Sequence, residues 1–333
     1  MSKSPAAGSR SERKLLAPLT SLRFFAAAIV IFHHCGRSAF EASPDWFRCF
    51  IQNGYQAVSF FFVLSGFILV YTYHQPDRPS GLKGTATAFW IARFARIYPS
   101  YALALCIALP AFLYYTFVKQ TTSLVLFTSG LVCVPVLLQA WIPPIAGAWN
   151  GPAWSLSVEA CFYATFPRLA PGLAGRSPRL WFWSSLCLVV TVQLVRHFIF
   201  PLPESGARPY EPTFQHNFFA YFPLFHVPTF LFGMALGKLY LARSAEPLIR
   251  FQSVLQLVSL GLLLFLFTRH GRIAPLLLSD TVMVPLFGAL IFSSAAAGSA
   301  LNRALSHPWL VELGEASYGM YILHSATTII SRQ

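Results

Sequence analysis

An arginine and a histidine interrupt one apolar stretch near the start of the chain, Ser21-Leu-Arg-Phe-Phe-Ala-Ala-Ala-Ile-Val-Ile-Phe-His-His-Cys-Gly36. On a helix the eleven steps from Arg23 to His34 make about three turns. The two side chains then share a face roughly 16 Å apart along the axis. An ionisable group in a bilayer costs about 2.5–3.5 kcal/mol on insertion scales, so it is expected to face protein and to serve a purpose. An imidazole is suited to take a proton from a hydroxyl near neutral pH. His34 is therefore a candidate general base and Arg23 a cation near one membrane face. The plainer alternative is a polar helix contact with Arg23 snorkelling to the interface. His33 points elsewhere on the helix and reads as a structural histidine.

Three further clusters carry polar chemistry. Arg93 and Arg96, in Phe89-Trp-Ile-Ala-Arg-Phe-Ala-Arg-Ile-Tyr-Pro99, lie side by side one turn apart. Paired guanidinium forks suit phosphate and pyrophosphate groups, although a basic interfacial anchor has the same spacing. In Trp154-Ser-Leu-Ser-Val-Glu-Ala-Cys-Phe-Tyr163, residues Ser155, Glu159 and Tyr163 recur every fourth position as one polar stripe. Glu159 is the clearest acid in an apolar segment, with Asp280 the other candidate. A carboxylate there could orient and charge-stabilise an imidazole, or simply fix helix register in a buried ion pair. Ser317, Tyr321 and His324 share a face near the C-terminal end of the sequence and are candidate cavity-lining residues.

The elements that must position these groups follow from composition. Of 333 residues, 56% are hydrophobic and only 11% charged, against about 25% charged in soluble domains. Apolar segments fall near 19–36, 55–73, 97–117, 122–141, 154–169, 180–200, 216–240, 251–268, 275–297 and 313–331. Each span needs about 20 residues. An all-α fold is expected, a polytopic integral membrane helical bundle of about ten transmembrane helices. Residues 1–14, rich in Ser, Ala, Lys and Arg, are expected to be a disordered basic tail, with 15–333 a single transmembrane domain. The net charge of +13 sits mainly at segment ends, which argues for membrane orientation rather than nucleic-acid binding.

Lys3, Arg10, Arg13 and Lys14 place the N-terminus in the cytoplasm, and Arg78, Lys83, Arg93 and Arg96 return to that side two crossings later. Simple alternation then puts Arg168, Arg176, Arg179, Lys238, Arg243 and Arg250 outside. Either one segment between 97 and 141 does not cross fully or the charge rule is weak here. Six cysteines show no Cys-x-x-Cys spacing. Cys35 and Cys49 flank a short loop and could pair in an oxidising compartment. His33-His34-Cys35 diverge around a helix, so no metal site is expected. The sequence lacks a Gly-x-Ser-x-Gly elbow, a His-Glu-x-x-His pair and a P-loop.

In order along the chain, Leu22-Arg23 to His34, Phe60-Phe-Phe-Val-Leu-Ser-Gly-Phe67, Arg93-x-x-Arg96-x-x-Pro99, Trp154-Ser-Leu-Ser-Val-Glu159 with Phe162-Tyr163, and Ser317-Tyr318-x-x-Tyr321-x-x-His324 resemble acyltransferase family 3. These are integral-membrane O-acyltransferases that decorate surface polysaccharides, peptidoglycan, Nod factors and macrolides. The resemblance spans about residues 18–330. It implies that His34 is the essential first-helix histidine, Arg23 its partner arginine, and Arg93 and Arg96 the donor-binding pair. Glu159 matches the first acid of a Glu-Glu-Gln pattern, but Ala160 and Cys161 replace the next two residues. A mechanism that needs two neighbouring carboxylates is thereby weakened.

The expected activity is O-acyl transfer, acetyl in the first instance, from a cytosolic acyl-CoA such as acetyl-CoA to a hydroxyl of a cell-surface glycan or lipid-linked saccharide. His34, Glu159 and Arg23 would be catalytic, and no permanently bound cofactor is expected. Membrane lipids of the plasma membrane, the inner membrane in bacteria, would surround the protein. A polytopic transporter exporting a glycan or small anion is the alternative; paired discontinuous segments of the inverted-repeat kind are not evident.

Overall fold

The structure, a computed structural model, describes residues 15–36, 40–120, 122–199, 214–242, 251–269, 279–296 and 298–331. The tail expected at 1–14 lies outside them. The described residues are all-helical, without a β-strand. The principal helices are α1 (Ala17–Cys35), α2 (Asp45–Gln52), α3 (Ala57–Tyr73), α4 (Ala86–Phe117), α5 (Leu124–Cys133), α6 (Trp154–Leu173), α7 (Pro178–Ile199), α8 (Phe214–Tyr221), α9 (Val227–Leu241), α10 (Gln252–Phe267), α11 (Asp280–Ala295), α12 (Ala300–Leu305) and α13 (Pro308–Ser331).

Local chemistry sets several boundaries. Thr85 begins α4 by accepting the Ala88 amide at 3.1 Å, and Ser279 begins α11 by accepting the Thr281 amide at 3.2 Å. Pro223 cannot donate to a helix ladder, so the apolar run 216–240 splits into α8 and α9 around a short 3₁₀ turn. By length and composition, five helical stretches among the described residues can cross a membrane: Ala17–Cys35, Asp45–Tyr73, Ala86–Phe117, Pro178–Phe198 and Pro223–Leu241. The shorter α5, α10 and α11 are also apolar. Of the ten spans expected, five are thus of full length and apolarity among the described residues. α6 and α13 are long enough but carry the polar stripes, which lower their apolar character.

Contacts between helices define two ends. At one end Lys238 donates to the carbonyls of Leu173 and Arg176, Gly81 lies against Ala170, and Ser21 donates to Leu305 O at 2.5 Å. At the other, Asn53 donates to Phe267 O at 2.9 Å, Ser59 to Asp280 at 2.6 Å, and His34 meets His324. We call these the basic end and the histidine end. Helices α1, α4, α7, α10 and α13 run from the basic to the histidine end, and α3, α6, α9 and α11 return.

Helix α5 is the exception. Its ten residues span about 15 Å, half the ~30 Å hydrocarbon core. From 134 to 153 the chain is irregular and folds back before α6, with Leu137 and Trp149 at positive φ (61° and 64°). Non-helical backbone at membrane depth must be buried in protein and hydrogen-bonded there. Tyr101 and Ser157 each donate at 2.6 Å to the carbonyls of Val134 and Leu137, and Gln139 donates to Ala153 O at 2.9 Å. Asn150 donates to Ile322 O at 3.1 Å, tying the segment to α13. The short α5 and the folded-back segment fit the first of the two alternatives, a segment between 97 and 141 that does not cross fully. Arg168 and Arg176 flank the Lys238 contact at the basic end, on the side of Arg93 and Arg96. Arg243 and Arg250 lie outside the described residues. Cys35 and Cys49 are not joined to each other by a disulfide.

Candidate functional site

A cavity of about 490 Å³ lies among α1, α3, α4, α6 and α13. Leu15, Lys83 and Arg96 on its wall are exposed, so its mouth is at the basic end, whereas Ser155, Ser317 and Tyr321 on its wall are buried. Of the residues singled out from the sequence, Arg23, Arg93, Arg96, Ser155, Glu159, Tyr163, Ser317 and Tyr321 all line it. Four chain segments thus bring three arginines, one lysine and one carboxylate to a single chamber. Opposite them, Leu16, Leu19, Leu64, Ile68 and Leu69 supply an apolar wall.

The arginines differ in how they are held. Arg93 donates from Nη2 to the Tyr73 hydroxyl at 2.7 Å, and its guanidinium carbon lies 5.1 Å from the Tyr73 ring centroid and 5.9 Å from that of Tyr163. Both separations are in the range of cation–π attraction. The Tyr163 hydroxyl in turn donates to Glu159, while the Trp90 indole donates to Tyr163 O at 2.9 Å and ties α4 to α6. The buried Nε of Arg93 has no hydrogen-bond partner among the described residues, a donor that a ligand oxygen would satisfy. Among the described residues the one ion pair is Arg48–Asp45 on exposed α2, so the cavity arginines are not neutralised by direct pairing. A preassembled cationic chamber with aromatic walls fits a phosphorylated ligand carrying an apolar arm.

His34 lies elsewhere. It is exposed at the histidine end of α1 and is not part of the cavity wall. Its ring stacks on that of His324, centroids 5.3 Å apart and planes 29° apart. The His324 ring contacts Tyr321 at 6.0 Å, and Tyr321 shares a 2.7 Å hydrogen bond with Ser155. His324, expected to line the cavity, places a buried ring between Tyr321 at the inner limit of the cavity and His34. The reason is pitch: three residues past Tyr321 raise His324 about 4.5 Å along α13, beyond the chamber. Arg23 and Glu159 line the chamber, whereas His34 lies outside its wall. His33 donates from Nδ1 to Ile51 O at 3.0 Å, as a structural histidine should. Asp280 accepts from Ser59 and Gln193 at the histidine end, remote from the cavity.

Sequence reasoning missed Tyr73 and Lys83. Tyr73 ends α3, and no spacing on α3 signals that α4 delivers Arg93 to its hydroxyl. Lys83 sits in the α3–α4 connection and reads as one of many interfacial cations.

Helices apolar and long enough to cross a membrane, packed around a polar, cationic chamber, are the marks of a helical membrane protein. The chain belongs to acyltransferase family 3: that family's acyltransferase domain matches residues 18–333. It is 29% identical over 320 residues to the acyltransferase MdmB of Streptomyces mycarofaciens, covering 93% of this chain and 78% of that one. It is 30% identical over 163 residues to protein 2 in the picA locus of Rhizobium radiobacter, covering 43% of this chain and 76% of that one. No solved structure matches the chain. The protein is thus an acyltransferase of the membrane.

Proposed function

We propose that this acyltransferase moves an acyl group, acetyl in the first instance, from acyl-CoA to a hydroxyl of a cell-surface glycan or lipid-linked saccharide. The basic end faces the cytoplasm, and the protein resides in the plasma membrane, the inner membrane in bacteria. The observation that carries this reading is the chamber itself. Its mouth gathers Lys83 and Arg96, its middle holds Arg23, Arg93 and Glu159, and its inner limit is the Ser155–Tyr321 pair. Arg93 and Arg96 take the donor phosphates. The pantetheine arm runs inward along the leucine wall toward Ser155 and Tyr321. Those two residues part to let the thioester approach His34.

The acceptor arrives from the histidine end, where His34 is exposed. Its oxygen forms the new bond to the acyl carbon as the carbon–sulfur bond breaks. The hydroxyl proton passes to the His34 imidazole and leaves with the CoA thiolate as a thiol. Glu159, held by Tyr163, balances the cations of the chamber rather than orienting His34.

The test is thiol release from labelled acetyl-CoA by purified protein in lipid nanodiscs, with and without saccharide acceptor. General-base removal costs about 10²–10⁴-fold, so His34→Ala should lose that much turnover while accumulating normally in the membrane. A wild-type rate from His34→Ala removes His34 from the chemistry. No thiol release by the unaltered protein with any saccharide overturns the whole reading.

A further inference from the structure

The general base proposed above lies at the end of α1, exposed and off the cavity wall, with the His33 ring edge-on to it at 5.1 Å. A base that reacts with two substrates must be held in one orientation, since a 1 Å misplacement can cost roughly 10²-fold in rate. The feature that can hold it comes from α13. The His324 ring lies against the His34 ring at 5.3 Å, nearly enough parallel (29°) to act as a flat support. That separation is within the range of offset aromatic stacking.

His324 is itself fixed. Its Nδ1 lies 2.6 Å from Tyr321 O, and a carbonyl can only accept, so Nδ1 carries the proton. One turn earlier, Tyr321 is held by Ser155 at 2.7 Å and donates to Pro152 O at 3.3 Å, while Phe61 packs on its ring at 6.0 Å. Constraint therefore runs unbroken from the inner limit of the donor cavity through Tyr321 and His324 to His34. Below them, α13 is locked to α1 because Gly314 lies directly against the Thr20 carbonyl.

We infer that His324 is the positioning residue for His34: its buried ring orients the imidazole base and couples that orientation to the Ser155–Tyr321 limit of the donor cavity. The inference rests on the acyl-transfer reading and on His34 as its base. His324 touches neither substrate and acts through His34.

The experiment compares His324→Leu, which removes the flat face, with His324→Phe, which keeps it. Turnover, donor KM, membrane abundance and thermal unfolding are measured for each in nanodiscs with acetyl-CoA. His324→Leu should lower kcat roughly 10²-fold while donor KM stays within about twofold, the signature of a lost transition-state arrangement. His324→Phe should recover most of that loss. The His34→Ala/His324→Leu double variant should be no slower than His34→Ala alone, because residues that act as a unit are not additive. Should His324→Leu fail to accumulate, His324→Asn supplies the same arm. Wild-type kcat from the non-aromatic variant overturns the inference. So does a Phe variant as slow as Leu, a loss confined to donor KM, or a fully additive double variant. Slow His34→Ala with normal His324→Leu defeats this inference alone, whereas normal His34→Ala defeats the reading beneath it.

Discussion

Two parallel helix pairs, α3 with α9 and α1 with α13, use one packing device for different ends. α3 and α9 form the most extensively packed pair in the bundle. A Cβ on Gly233 would lie 2.1 Å from Val63 O, so only glycine permits the approach. The seam buries Val63, Phe67, Phe230 and Met234 completely, with Tyr71 and Tyr240 meeting at its basic end. α1 and α13 approach as closely, a Cβ on Gly314 falling 2.0 Å from Thr20 O. Their seam instead presents Arg23, Ser317 and Tyr321 to the cavity and stacks His34 on His324. Close backbone approach alone thus says nothing about function. What differs is that the first pair seals apolar surface, and the second leaves a polar line that its neighbours α4 and α6 complete.

The largest effect that would sharpen this contrast falls on the polar side. Hydrogen bonds to charged groups contribute about 1.5–3 kcal/mol each, so Arg93→Gln with Arg96→Gln should raise donor KM by roughly 10²-fold or more. Initial rates against acetyl-CoA concentration would show it; unchanged KM would mean that these cations only anchor α4. Next come the two glycines. Overpacking costs about 1–3 kcal/mol, so Gly233→Ala should chiefly lower thermal stability in detergent, with turnover in the folded fraction changed less than by Gly314→Ala. Gly314→Ala should lose stability and also turnover, because Thr20 and Arg23 sit beside the displaced backbone. Equal kinetic effects from the two variants would erase the distinction between the pairs.

A smaller change is expected at the support of Arg93. Tyr73→Phe keeps the ring face but loses the hydroxyl that accepts from the guanidinium. At the low end of the range for charged hydrogen bonds, this should raise donor KM about tenfold. The smallest lies on the exposed face of α2, away from the cavity wall. The Arg48–Asp45 pair is 45% and 59% exposed, and such pairs contribute about 0–1 kcal/mol. Arg48→Ala should therefore leave stability and donor KM near wild type; a large effect would place α2 in the acceptor path.

Much of the site was legible because it is local. Residues repeating every third or fourth position fall on one helix face whatever surrounds the helix. That fixed the Ser155–Glu159–Tyr163 stripe, the adjacency of Arg93 and Arg96, and the separation of Arg23 from His34. The cavity takes six of these seven residues, all but His34. What the helical period left open depended on neighbours instead. His324 shares a helix face with Tyr321, but only the packing of α1 against α13 decides that it meets His34 rather than the cavity. α5 reads as an ordinary apolar span, and only the hydrogen bonds from Tyr101, Ser157 and Gln139 show how the chain can turn back at depth.

The amino-acid order by itself determined an all-helical membrane chain, its polar faces and its cationic ends, because burying backbone in lipid leaves helices as the solution and charge density sets their ends. The tertiary structure alone decided which faces meet: a chamber closed by four segments far apart in sequence, Tyr73 beneath Arg93, and one imidazole stacked on another. Helical pitch sets an angle around a single axis, whereas the distance between axes is set by what packs between them, and that information is spread over the whole chain.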